Sequence, residues 1–141
     1  MTMMTDDLQL TMLASKAAAG LARTLVAERL RKWGCTHIAD AALLVTAELI
    51  ANAAEAVRGK EIKFRFSRDA TGVLLEVWDS SPLPPTPKPA EDLTLETLDL
   101  SEENWDNNGG WGLPLVQALA TECGYTPAPT GGKWVWAQLK I

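Results

Sequence analysis

Hydrophobic and polar positions along this chain change period several times, and each change marks an element. Residues 6–12, DDLQLTM, alternate weakly, as an edge strand does. Residues 15–33, SKAAAGLARTLVAERLRKW, repeat with a period of 3.6. Leu21, Leu25, Val26, Leu30 and Trp33 supply an apolar stripe, and Gly34 is placed to close the helix at C′. The connector CTHIAD leads to residues 41–57, AALLVTAELIANAAEAV, where Asp40 is the predicted N-cap. This second helix has no Gly or Pro inside and is apolar almost all round, the pattern of a buried helix. Its exception is a narrow stripe, Glu48, Asn52 and Glu55, at i, i+4 and i+7 on one face.

The period then drops to 2. Residues 61–68, EIKFRFSR, alternate Ile62, Phe64 and Phe66 against polar neighbours, Asp69–Gly72 is a hairpin connection, and 73–79, VLLEVWD, is the antiparallel return. Residues 80–108 carry five of the eight prolines and then many acids, so they read as a long lid, a binding loop or a disordered segment. From 109 to 124, GGWGLPLVQALATECG, a glycine-rich turn runs into a helix with apolar Leu113, Leu115, Val116 and Leu119, and Pro114 suits its first turn. The remainder reads as two strands around Gly131-Gly132. Trp78 and Trp136, on strands, are expected in the core. The predicted fold is α+β: a two-layer sandwich in a single domain spanning 1–141, with helices on one face of a mixed, mostly antiparallel sheet.

Composition narrows the function classes. Net charge is −5, without a Lys/Arg cluster, which argues against binding nucleic acid by neutralising phosphates. Two cysteines, Cys35 and Cys123, without a CxxC pair indicate neither a zinc site nor a disulfide framework. The acidic start lacks the basic and apolar regions of a signal peptide, and no apolar run approaches a membrane span by inspection, so a cytoplasmic protein with no membrane role is expected. His37, the only histidine, sits in a connector and reads as a surface residue.

The candidate chemistry lies in three local features: Glu48 and Asn52 on a helix, Asp79 ending a strand, and glycines opening a helix at 109–112. An amide oxygen beside a carboxylate suits Mg²⁺, which takes a few protein oxygens plus water and phosphate. Glycines at a helix N-terminus let backbone N–H groups approach phosphates. The plain alternatives are a polar margin on a core helix, an acid capping a turn, and glycines serving turn geometry alone.

Taken together, the motifs resemble the GHKL (Bergerat-fold) histidine-kinase-like ATPases, of the anti-sigma factor serine/threonine kinase type. TAELIANAA is similar to the family's N box, VLLEVWDSSPLP to its G1 region, GGWGLPLV to its G2 box and GGKWVWAQL to its closing strand. The resemblance implies ATP and Mg²⁺ as ligands. It also implies Asn52 as the metal ligand, Glu48 as general base toward a water or a substrate hydroxyl, and Asp79 as acceptor from the adenine amino group. Gly109, Gly110, Gly112 and Leu113 would surround the phosphates, with 80–108 as the ATP lid. It further implies protein partners, a sigma factor or an anti-sigma antagonist, and leaves a homodimer open. The chain departs from the pattern at Glu55, where superfamily kinases carry Lys, and at Trp111, where related proteins carry Arg. Trp134 stands where Thr lines the adenine pocket, and Trp111 and Trp134 are candidates to narrow that pocket or stack on a base. Ser81 and Pro82 replace the G1 glycines, and Lys133 is the candidate replacement cation.

Overall fold

The computed structural model describes residues 7–85 and 114–141. Its elements are β1 (Leu8–Leu13), α1 (Lys16–Lys32), a 3-10 turn (Thr36–Ile38), α2 (Ala39–Ala56), β2 (Glu61–Arg68) and β3 (Gly72–Asp79). After these come α3 (Pro114–Leu119), β4 (Glu122–Pro127) and β5 (Lys133–Lys140). The strands form one five-stranded sheet in the order β1-β2-β3-β5-β4. The α+β two-layer arrangement is the one expected, and each of the four ladders is antiparallel, with no parallel pairing among the described residues.

Alternation sorts the strand side chains onto two faces. Ile62, Phe64 and Phe66, Val73, Leu75 and Val77, and Val135, Ala137 and Leu139 are buried beneath the helices. Helix α2 crosses the centre of the sheet against β3 and β5, while α1 lies beside it over β1. Ser15 caps α1 by accepting from the Ala18 backbone N–H at 3.2 Å. The helix closes in a Schellman motif: Cys35 N–H bonds Leu30 O at 2.8 Å, Gly34 N–H bonds Arg31 O at 3.2 Å, and Gly34 takes φ 71°.

Several expectations are corrected here. Leu21 is 48% exposed; the buried stripe of α1 runs through Ala18, Ala22, Val26 and Leu30, because the close approach of α1 to α2 admits alanine. Asp40 is not the N-cap of α2. The 3-10 turn feeds straight into that helix, its cap position is Ile38, and Asp40 lies in the first turn, where its charge favours the helix dipole. The segment Thr36–Ala56 is long and apolar enough to cross a membrane by length and composition, contrary to the expectation that no run approaches a span. In this fold it is the core helix, burying Val45, Leu49, Ile50 and Ala53. The helix expected to reach residue 124 ends at Leu119, because Glu122–Pro127 pair with β5 as an edge strand.

Trp78 and Trp136 are not in the core. They sit half-buried on the face of the sheet opposite the helices, where Trp78 pairs across the ladder with Trp134 and Trp136 with Glu76. Cations cover this aromatic row: Lys63 Nζ lies 5.1 Å from the Trp78 ring centre, and the Arg65 guanidinium 4.7 Å from that of Trp134. Arg65 also reaches Glu76 at 3.4 Å. Desolvation pushes the Glu76 carboxyl above its usual range, with Arg65 opposing the shift. Among the described residues, the tryptophan that does enter the core is Trp33, 5.0 Å from Phe66 between ring centres.

Candidate functional site

Four polar residues among the described ones are buried within the helix–sheet layer: Thr46, Asn52, Asp79 and Lys133. Thr46 is satisfied locally, its hydroxyl donating to Ala42 O at 2.8 Å. The other three need a further account.

Asn52 lies toward the C-terminal end of α2, and it is 3% exposed. Its Oδ1 is buried and has no hydrogen-bond partner among the described residues. Leaving such an oxygen unsatisfied costs about 1–3 kcal/mol, which selection for stability alone would remove. Glu48, one helical turn earlier, is half-buried, and Glu55 is exposed. The polar stripe read from the sequence therefore runs from the interior to solvent, with Asn52 at its deepest point.

Asp79 ends β3 on the helix-facing side and is fully buried. Its carboxylate has two different halves. Oδ1 accepts from Lys133 Nζ at 2.8 Å and from the Ser81 backbone N–H at 2.9 Å. Oδ2 is buried and has no partner among the described residues. Lys133 opens β5 directly opposite Asp79 in the β3–β5 register and is 2% exposed.

The turn before β5 sets this pair. Gly131 and Gly132 adopt φ 110° and 76°, conformations open to glycine. A Cβ on Gly132 would run into the Asp79 carbonyl oxygen and come within 2.8 Å of Trp78 Nε1. Trp78, from the open face, donates Nε1–H to Gly131 O at 3.0 Å and ties the turn to β3.

The structure thus brings Asp79 and Lys133 together and sets Glu48 and Asn52 on the helix above the same sheet. Trp134 is not on their side. As the neighbour of Lys133 on a strand it faces the opposite layer, stacked on Arg65, so it neither narrows a pocket at Asp79 nor stacks on a base there. Gly109, Gly110, Gly112, Leu113 and Trp111 lie outside the described residues, as does residue 86 onward of the expected lid. Sequence reasoning did not single out Gln117. This α3 residue has both amide atoms buried without a partner among the described residues, and α3 packs on α2. A polar residue one turn into a helix that follows glycines was the available signal.

Residues 12–139 match the profile of the histidine kinase-like ATPase domain. The chain belongs to that family. No curated protein matches it. Domains of this family typically bind ATP, usually with Mg²⁺, and the buried oxygens here suit both. A neutral amide oxygen such as Asn52 Oδ1 is a ligand that Mg²⁺ accepts. An acceptor-only carboxylate oxygen such as Asp79 Oδ2 matches an amino N–H.

Proposed function

We propose that this chain is an ATP-binding regulatory module of the anti-sigma factor serine/threonine kinase type. One observation supports the reading above others: Asn52 Oδ1 and Asp79 Oδ2 are buried oxygen acceptors with no hydrogen-bond partner among the described residues. Asn52 is the proposed Mg²⁺ ligand, and Asp79 Oδ2 the acceptor for the adenine amino group. Glu48, half-buried one turn before Asn52, is the proposed base toward an attacking hydroxyl. The metal, when bound, neutralises phosphate charge. Gly109, Gly110, Gly112 and Leu113 would line the phosphates. The proposed partners are a sigma factor and an antagonist protein carrying the acceptor serine or threonine, in the cytoplasm. A net charge of −5 favours protein partners over nucleic acid.

A second reading is a module that keeps nucleotide binding but transfers phosphate weakly or not at all. It is favoured by Glu55, exposed where superfamily kinases carry Lys, and by Lys133, whose ammonium is engaged by Asp79 at 2.8 Å. Phosphate release from Mg-ATP separates the two. The kinase reading expects slow turnover that Glu48→Gln removes while leaving affinity unchanged. Binding without any turnover selects the second reading.

A further inference from the structure

The Lys133–Asp79 pair changes what the end of β3 can recognise. A lone buried carboxylate accepts hydrogen bonds and draws cations. With Lys133 Nζ at 2.8 Å from Oδ1, the pair is neutral and offers both hydrogen-bond senses. Oδ2, buried and without a partner among the described residues, accepts. The ammonium carries three N–H groups, of which Oδ1 takes one. A merely structural role does not call for a lysine here. Its neighbours on the same face of β5, Val135, Ala137 and Leu139, are apolar, and burying an ammonium at 2% exposure carries a desolvation cost that they avoid. Oδ1 already has a second donor in the Ser81 N–H. Gly132, packed against the Asp79 carbonyl, leads into Lys133 directly opposite Asp79 in the β3–β5 register.

We propose that Lys133 is a specificity-determining residue for the nucleobase. It donates to a ring-nitrogen acceptor next to the amino group that Asp79 Oδ2 accepts from, so the pair reads a neutral donor–acceptor edge such as that of adenine. This rests on the nucleotide reading above and moves Lys133 from the phosphates to the base.

The test is calorimetric titration of the full chain with the Mg²⁺ salts of four ligands. These are ATP, 1-deaza-ATP (C–H in place of ring N1), purine riboside triphosphate (no amino group) and inorganic tripolyphosphate. The wild-type chain is expected to bind 1-deaza-ATP about tenfold or more weakly than ATP. Lys133→Met is expected to lose a similar factor for ATP and little more for 1-deaza-ATP, with tripolyphosphate unchanged. Equal affinity of the wild-type chain for ATP and 1-deaza-ATP overturns the proposal, and that comparison stands even if the variant fails to fold. Weak purine riboside triphosphate with unchanged 1-deaza-ATP keeps Asp79 as the amino acceptor and overturns the lysine role alone. No binding of any nucleotide overturns both readings.

Discussion

Lys133 Nζ and Asp79 Oδ1 lie 2.8 Å apart at the end of the β3–β5 ladder, both side chains withdrawn from solvent. Such a pair is strongly asymmetric toward mutation. Removing one partner strands a buried charge, whereas removing both does not. Lys133→Met is expected to cost about 3–5 kcal/mol in urea unfolding, and Asp79→Leu a similar amount. Combining the two should cost much less than their sum. Additive losses would show that the charges do not depend on each other.

Gly132→Ala should be among the most damaging alanine substitutions in the chain. The new methyl meets the Asp79 carbonyl and the Trp78 indole in a backbone conformation with φ 76°. Strain of this kind costs about 1–3 kcal/mol before any clash. Gly131→Ala has open space around its Cβ and should lose less. Thermal unfolding of both variants checks the order, and a Gly132→Ala protein as stable as Gly131→Ala would contradict the packing.

Asn52→Ala separates binding from folding. Because the native Oδ1 lacks a partner among the described residues, its loss removes an unsatisfied group along with some packing, and stability should change by only about 1 kcal/mol. Mg²⁺-dependent nucleotide affinity should fall by at least tenfold. A variant that unfolds readily, or that binds Mg-ATP like the wild-type chain, would show that Asn52 serves the core instead.

Burial pushes the Cys123 thiol up from about 9 to about 11. A raised thiol value favours the neutral form in the folded state. The associated stability is therefore present below the unfolded thiol's range and is lost as pH rises toward 11. Thiolate absorbance in a Cys35→Ala background should show a midpoint near 11 when folded and about two units lower in denaturant. Coincident midpoints would mean that Cys123 is solvated.

Much of this fold was legible because its signals are periodic. The alternation of Ile62, Phe64 and Phe66 fixed the inner face of β2, and Gly34 marked the end of α1. The failures share a cause. Trp78 and Trp136 are large and apolar, yet strand alternation sends them to the open face, where cations cover them. That face follows from alternation with the inward Val73, Leu75, Val77 and Asp79 of β3 and the inward Val135, Ala137 and Leu139 of β5. Asp40 lost its capping role to a 3-10 turn that no sequence signal announced. At the site, Asn52 and Asp79 were visible as polar residues in apolar surroundings. The partnership of Lys133 with Asp79 was not, because it depends on a β3–β5 register linking residues 54 positions apart.

The most direct measurement is thermal unfolding of the wild-type chain and of Asn52→Ala, with Mg-ATP and with ATP plus a chelator. At 100 times Kd the ligand adds about 2.7 kcal/mol, a shift of several degrees. The account predicts that shift for the wild-type chain with Mg-ATP, a smaller one under chelation, and almost none for Asn52→Ala. No shift of the wild-type chain at millimolar Mg-ATP would contradict it, leaving the buried oxygens of Asn52 and Asp79 without a nucleotide to serve.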